Sequence, residues 1–152
     1  MRIKENIRPI EILLVDDNPG DIRLTQEALK ESKVLNKIHV VEDGMETLEF
    51  LRKEGRFKNE ITPDIILLDL NLPKINGQEV LTEIKNDELL KKIPVVILTI
   101  SMAEEDILKS YELHANCYIT KTVDMNQFIK IVRSIENFWF SIVRLPPNID
   151  FN

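Results

Sequence analysis

Short apolar runs alternate with segments of helical period along this chain, five times over. The runs that we predict to be strands are Glu11–Val15, Ile38–Val41, Ile65–Asp69, Val95–Thr99 and Cys117–Ile119. Three of them are continuous runs of β-branched residues or leucine, which is typical of strands that are buried on both faces of a sheet. The alternation therefore predicts an α/β fold with a doubly wound, five-stranded parallel sheet and helices on both faces.

Most of the intervening helices begin with capping-box spacing, in which a capping side chain precedes an acid or amide by three residues. These boxes begin at Asn18, Asp43, Ser101 and Asp124. The third helix instead starts after Asn76-Gly77 and is predicted to end near Asn86-Asp87. We therefore expect five helices, one after each strand.

An aromatic segment follows the last predicted helix. Phe138, Trp139 and Phe140 are more apolar than a solvated helix end should be, and Pro146-Pro147 stops any further helix. This aromatic tail either folds back over the protein's own core or forms a surface that binds a partner.

Composition narrows the functional classes. The 152 residues are enough for one domain, and 26 acidic against 20 basic side chains give a net charge of −6, which disfavours nucleic acid or an anionic membrane as a partner. No apolar run is long enough to span a membrane, and the N-terminus lacks a secretory signal, so we expect a soluble, cytoplasmic protein. The single cysteine, Cys117, excludes an internal disulfide and a four-cysteine zinc site.

Polar side chains cluster where the predicted strands end. Asp16 and Asp17 follow the first strand, Asp69 closes the third, Thr99 closes the fourth, and Lys121 lies shortly after the fifth. Each has an ordinary explanation as a helix cap or a solvated side chain, but parallel strands bring their carboxyl ends to one edge of the sheet. Carboxylates that share a site repel unless they share a cation, and hard oxygen ligands favour Mg²⁺. The sequence therefore predicts a magnesium site at this edge.

A carboxylate beside a metal ion can attack a phosphoryl group and form an acyl phosphate. Asp69, on the central strand, is the natural nucleophile. Phosphoryl transfer requires positive charge and hydrogen-bond donors around three oxygens, and Mg²⁺, the Lys121 ammonium and the Thr99 hydroxyl would serve one oxygen each.

Four segments, in this order, resemble the receiver domain of a two-component response regulator. They are Ile-Leu-Leu-Val-Asp16-Asp17-Asn-Pro, Asp69-Leu-Asn71-Leu-Pro73-Lys-Ile-Asn-Gly77, Val-Val-Ile-Leu-Thr99 and Tyr118-Ile-Thr-Lys121. The resemblance implies a flavodoxin-like fold with strand order 2-1-3-4-5. It also implies a receiver domain over residues 8–136 and a C-terminal extension over 137–152 that is too short to be an output domain.

The resemblance further implies a role for each site residue. Asp69 would accept the phosphoryl group from a sensor histidine kinase, which makes the chain a phosphoacceptor signalling protein rather than an enzyme. Asp17 and Asp69 would ligate Mg²⁺ directly, together with the backbone carbonyl of Asn71, and Asp16 would act through water. The switch residues would be Thr99, Tyr118 and Lys121. Phosphorylation would then change the surface formed by helix 4, strand 5 and helix 5.

A narrower resemblance links the chain to stand-alone receivers that serve phytochrome-type sensor kinases. It is carried by Asp17-Asn-Pro-Gly-Asp-Ile-Arg-Leu, Tyr-Glu-Leu-His-Ala-Asn-Cys-Tyr-Ile-Thr-Lys and Ile-Glu-Asn-Phe-Trp. Members of that subgroup tend to dimerise through helix 4, strand 5 and helix 5. The resemblance therefore makes Tyr118 and the aromatic tail candidates for a homodimer interface.

Two positions depart from the receiver pattern. Thr122 stands where receivers usually have proline, and because a cis bond before threonine costs about 3–4 kcal/mol we expect Lys121–Thr122 to be trans. Ile100 stands where a small residue is usual, and we expect it to crowd the mouth of the pocket and slow small phosphodonors.

Two other functions compete with the phosphoacceptor. A pseudo-receiver would keep the fold but never accept phosphate, and it requires an incomplete set of acids, whereas all of them are present here. An aspartate-nucleophile phosphatase would carry its nucleophile after the first strand and a second aspartate two positions later, whereas position 71 is asparagine and the Asp16-Asp17 doublet is adjacent. The chain also has no glycine-rich nucleotide loop.

Overall fold

The computed structural model describes residues 9–30, 35–100 and 102–121, together with 130 and 134. Within these ranges the strands are β1 (Ile10–Val15), β2 (Asn36–Val41), β3 (Ile65–Leu68), β4 (Val95–Thr99) and β5 (Cys117–Thr120). The helices of the same ranges are α1 (Pro19–Lys30), α2 (Gly44–Arg52), α3 (Gly77–Lys85) and α4 (Glu104–Glu112), with a 3₁₀ turn at Gly55–Phe57. The five predicted strands are confirmed, except that Asp69 lies one residue beyond β3.

All five strands are parallel and lie in the order β2-β1-β3-β4-β5, which confirms the predicted fold. The register determines what meets at the carboxyl edge. Val15 of β1 pairs with Leu68 of β3, so the residues that follow these strands are neighbours. Further along the sheet, Thr99 of β4 pairs with Thr120 of β5, so Lys121 lies beside the end of β4.

The central strands are buried on both faces, which explains their unbroken apolar sequences. In β1, Leu13 belongs to one apolar cluster and Leu14 to the other, and the same alternation places Ile66 and Leu67 of β3 in opposite clusters. All four are at most 1% exposed. Burying such a side chain contributes roughly 1.5–3 kcal/mol, so the two clusters hold the central strands rigidly beneath the site.

Capping side chains start three of the four helices described. The N–H groups of Asp21, Glu46 and Glu79 donate to capping oxygens three residues earlier, at 3.0, 2.7 and 3.0 Å. α3 spans Gly77–Lys85, so it begins one residue earlier than predicted and ends next to the predicted Asn86-Asp87. These bonds satisfy N–H groups that the first helical turn leaves without partners.

The capping box predicted at Ser101 is wrong. α4 begins only at Glu104, with Ala103 at its N-cap and no side-chain bond there. Alanine offers no acceptor, but Glu104, Glu105 and Asp106 place three negative charges in the first turn, where the helix dipole favours them.

Several predictions lie outside the described residues. They are the Asp124 box, the fifth helix apart from the helical residues Lys130 and Ser134, the aromatic tail and the Lys121–Thr122 peptide bond. No helix in the described part of the chain is long and apolar enough to cross a membrane.

Candidate functional site

The backbone ladders of the sheet extend one residue past β1 and β3 and bring two aspartates together. The Asp16 N–H donates to the Val41 carbonyl at 3.1 Å, and the Asp69 N–H donates to the Val15 carbonyl at 3.0 Å. Both residues are buried, at 2% and 7% exposure. The two carboxylates are therefore held by the sheet itself rather than by mobile loops.

Local hydrogen bonds orient both carboxylates. The Asn18 N–H donates to Asp16 Oδ1 at 2.9 Å, and the Asn71 N–H donates to Asp69 Oδ1 at 3.0 Å. One oxygen of each aspartate is thus engaged by the backbone two residues later. The other oxygen of each is left to face the site.

Asp17 completes an acidic group. Asp16, Asp17 and Asp69 each offer a carboxylate oxygen, and these oxygens lie within 4.8 Å of one another. Asp17 is exposed, so the group is open to solvent on one side. Three hard oxygen donors at this spacing fit a divalent cation of the Mg²⁺ type, which keeps several of its waters.

Lys121 is the buried cation of the site. Its Nζ donates to Asp16 Oδ2 at 2.7 Å, to Asp21 Oδ2 at 2.9 Å and to Asp69 Oδ2 at 3.1 Å. The side chain is only 3% exposed. All three N–H donors of the ammonium are therefore used by carboxylates.

Burial and charge act in opposite directions on these groups. Burial alone would lower the pKa of Lys121, but the hydrogen bond to Asp16 and the charge of Asp69 outweigh it, so the pKa is raised. Burial raises the pKa of Asp16, although the hydrogen bond from Lys121 opposes this effect. The ammonium therefore stays charged, while the buried acid gains from any further positive charge.

Thr99 contributes a hydroxyl that can form a further hydrogen bond. The residue is completely buried, and its Oγ1 has no hydrogen-bond partner among the described residues. The Thr99 carbonyl accepts the Lys121 N–H at 2.6 Å, so the two residues are tied through the backbone. A buried hydroxyl without a partner can still donate to an incoming oxygen.

The loop between β3 and α3 requires glycine where it closes. The Gly77 N–H donates to the Leu70 carbonyl at 2.9 Å. A Cβ at position 77 would lie 2.5 Å from the Asp69 carbonyl oxygen and 2.5 Å from Leu70 Cα. The start of α3 therefore packs directly on the backbone that carries Asp69.

The side of the sheet beyond β4 carries exposed apolar residues. Tyr118 is partly buried against the core cluster, and its N–H donates to the Tyr111 hydroxyl of α4 at 3.2 Å. Among the described residues, the large apolar side chains that are exposed at and after the end of β4 are Ile100 (64%), Met102 (76%), Leu108 (63%) and Tyr111 (48%). The expected effect of Ile100 on access to the pocket stays a prediction.

The sequence reasoning missed Asp21 as a site residue. Asp21 was expected in the capping box of α1 and in the segment that resembles phytochrome-type receivers, whereas its side chain also contacts Lys121. A signal was present, because only three residues separate the end of β1 from the start of α1, and the first turn of α1 must therefore lie above the acidic edge. The Tyr111 contact with Tyr118 was missed as well, and nothing in the local pattern indicated it.

Comparison with known proteins agrees with this geometry. The family described as "Response regulator receiver domain" matches residues 12–133. The response regulator Rcp1 of Synechocystis is 48% identical over 142 residues, which cover 93% of this chain and 97% of Rcp1.

Two crystal structures are similar over nearly the whole chain. The phosphorylated cyanobacterial phytochrome response regulator RcpA is 54% identical, with a TM-score of 0.90 over 92% of this chain and 100% of that one. The Mn²⁺-bound form of Rcp1 is 48% identical, with a TM-score of 0.89 over 91% of this chain and 100% of that one. With its 2-1-3-4-5 sheet and the acids at its carboxyl edge, the chain belongs to the family of response regulator receiver domains.

Proposed function

We propose that this chain is a single-domain response regulator that accepts a phosphoryl group on Asp69 from a sensor histidine kinase of the phytochrome type. The observation that carries the proposal is the position of Asp69 Oδ2, which is buried, 3.1 Å from Lys121 Nζ and in one group with Asp16 and Asp17. The kinase class is supported by the phosphorylated phytochrome response regulator to which the chain is similar.

The transfer makes one bond and breaks one. Asp69 Oδ2 attacks the phosphorus of a phosphohistidine, the P–N bond breaks, and the electron pair returns to the imidazole nitrogen, which takes up a proton from water. Asp69 Oδ1 accepts the Asn71 N–H, and Oδ2, which faces the site and accepts from Lys121 Nζ, is the oxygen proposed as the nucleophile. The product is an acyl phosphate on Asp69.

The acidic group would hold Mg²⁺ through Asp17, Asp69 and the backbone carbonyl of Asn71, with Asp16 acting through water. When bound, Mg²⁺ supplies positive charge to a phosphoryl oxygen and offsets the mutual repulsion of the carboxylates. The burial that raises the pKa of Asp16 supports this role, because an acid that is costly to ionise gains from a neighbouring cation.

Thr99 and Lys121 would bind the remaining phosphoryl oxygens. The Thr99 hydroxyl is free of partners among the described residues, and the Lys121 ammonium already contacts the accepting carboxylate. Movement of Thr99 toward the phosphoryl group would leave room for Tyr118 to turn inward. The Tyr118 backbone N–H donates to the Tyr111 hydroxyl at 3.2 Å and so connects the strand that carries this ring to α4.

The proposed output is the surface of α4, β5 and the predicted fifth helix, where a homodimer would also form. The exposed apolar side chains of this region support an interface. We assign the receiver domain to residues 8–136 and the C-terminal extension to 137–152. Because histidine kinases draw their phosphoryl group from ATP, this function requires a cytoplasmic location.

Intact mass spectrometry tests the proposal. The protein is incubated with Mg²⁺ and phosphoramidate, in parallel with an Asp69→Asn variant and with a chelator. We expect one added phosphoryl group that requires both Asp69 and Mg²⁺. Because Ile100 is expected to slow small donors, an Ile100→Ala variant is run beside the wild type, and beryllofluoride binding is measured on both. Absence of an adduct and of beryllofluoride binding in both proteins would refute the phosphoacceptor and favour a pseudo-receiver.

A further inference from the structure

Asp21 is a fourth carboxylate at the site, and it differs from the other three. The acidic group that fits a cation consists of Asp16, Asp17 and Asp69 and does not include Asp21. Like those of Asp16 and Asp69, its carboxylate contacts Lys121 Nζ, at 2.9 Å, but its side chain is 28% exposed against 3% for the lysine. Asp21 therefore lies on the solvent side of the ammonium.

The backbone of Asp21 is fixed at the start of α1. Its N–H donates to Asn18 Oδ1 at 3.0 Å, and its carbonyl accepts the Thr25 hydroxyl at 2.8 Å. The side chain is short, so little conformational freedom is lost when it contacts Lys121. The contact is thus a property of the helix start rather than of a mobile surface chain.

The Lys121 ammonium has no N–H group that is not already hydrogen-bonded to a carboxylate. Its three N–H groups serve Asp16, Asp21 and Asp69, so a phosphoryl group on Asp69 can receive a second N–H only if another carboxylate releases one. Asp16 is buried and depends on this cation, whereas Asp21 is partly solvated and can be released at lower cost.

Asp21 also repels the group that would arrive. Its Oδ2 and that of Asp69 lie at 2.9 and 3.1 Å from the same nitrogen, so they are no more than about 6 Å apart. A phosphoryl group adds about 1.5 to 2 negative charges at that position. The charge of Asp21 therefore opposes phosphorylation twice, by occupying a Lys121 donor and by direct repulsion.

From this arrangement we infer that Asp21 is a positioning residue that holds the Lys121 ammonium in competition with the phosphoryl group and so weakens the phosphorylated state. The inference rests on the proposed function of Asp69. It assigns Asp21 neither a metal-binding nor a nucleophilic role. Removal of its charge should strengthen binding of a phosphoryl mimic, which is an effect that structural damage does not produce.

The test measures beryllofluoride affinity at saturating Mg²⁺ by calorimetry. Asp21→Asn keeps the size of the side chain and removes its charge, and Asp21→Ala removes the contact altogether. Glu27→Gln is the control, because it removes the same charge from the exposed face of the same helix. We expect both Asp21 variants to bind beryllofluoride about three- to tenfold more tightly, as for a partly screened charge contact, and the control to change less than about twofold.

A second measurement needs no metal. The ¹⁵N signal of the Lys121 ammonium should be visible, because the group is buried and fully hydrogen-bonded, and it should shift in Asp21→Asn but not in Glu27→Gln.

Equal or weaker beryllofluoride binding by both Asp21 variants, with normal wild-type binding, would overturn this inference alone. An unshifted ammonium signal in Asp21→Asn would overturn it as well. No beryllofluoride binding by the wild type would overturn the proposed function, and this inference with it.

Discussion

Replacement of Gly77 by alanine tests whether the loop that carries Asp69 is packed as tightly as described. The added Cβ meets the Asp69 carbonyl oxygen and Leu70 Cα, both at 2.5 Å, and the Leu70 carbonyl carbon at 3.1 Å. All three atoms belong to the backbone, so no side chain can turn away to relieve the contact. The start of α3 or the end of β3 must move instead.

The expected loss of stability follows from these contacts. Overpacking costs about 1–3 kcal/mol, and two backbone contacts at 2.5 Å belong at the upper end of that range. Alanine also restricts the unfolded chain, which raises the free energy of unfolding by about 0.4–1 kcal/mol. We therefore expect the free energy of unfolding to fall by about 2 kcal/mol, which lowers the urea midpoint by roughly 1 M for a protein of this size.

Gly20→Ala is the matched control. Gly20 also lies in the first turn of a helix, but its Cβ would meet only the side-chain oxygen of Asn18, at 3.2 Å. We expect its free energy of unfolding to stay within about 0.5 kcal/mol of wild type. Urea unfolding followed by circular dichroism measures both variants. A Gly77→Ala midpoint equal to that of Gly20→Ala would refute the close packing.

Three further predictions concern Lys121 and Lys85. Lys121→Met should lower the free energy of unfolding by about 2–4 kcal/mol in the absence of metal, since it leaves the carboxylates of Asp16 and Asp69 without their cation. Urea unfolding with and without Mg²⁺ measures this loss, and we expect Mg²⁺ to reduce it. The pKa of Lys121 is raised above its ordinary 10.5, so the stability that its charge contributes is fully present below pH 10.5 and is lost as pH rises through the folded-state pKa. The difference in free energy of unfolding between wild type and Lys121→Met, measured from pH 8 to 11.5, should therefore decrease only at the alkaline end. Lys85 donates to two backbone carbonyls before β4, at 2.9 and 2.8 Å, so Lys85→Met should cost about 1 kcal/mol in urea unfolding, and no loss would contradict a structural role for these bonds.

The strands and the site residues at their carboxyl ends could be predicted because each is indicated by the residues next to it in the sequence. A run such as Ile65–Leu68 is apolar at every position, which only a strand covered on both faces tolerates. The residue that follows such a strand lies at the carboxyl edge whatever the helices do. Asp16, Asp69 and Thr99 therefore needed no knowledge of distant contacts.

The remaining features depend on contacts that no local pattern encodes. Asp21 has the spacing of a capping box whether or not its carboxylate contacts Lys121. The capping box therefore accounts for Asp21 in the sequence without indicating the contact with Lys121. The spacing of Ser101 and Glu104 fits a capping box equally well, but the chain turns into α4 only after Ala103. Both outcomes are decided by how β4, β5 and α1 approach one another in space.

The buried ammonium also constrains the order in which the molecule can assemble. Lys121 lies 105 residues after Asp16 and 52 after Asp69, so the hydrogen bonds that neutralise the acidic pocket join residues that are far apart in the sequence. Long-range closures of this kind are slow compared with helix formation. During synthesis the aspartates emerge first and remain uncompensated until β5 has added to the edge of the sheet. Nascent chains shorter than 121 residues therefore lack the cation of the site, and Lys121 can neutralise the acidic pocket only after β5 has been synthesised.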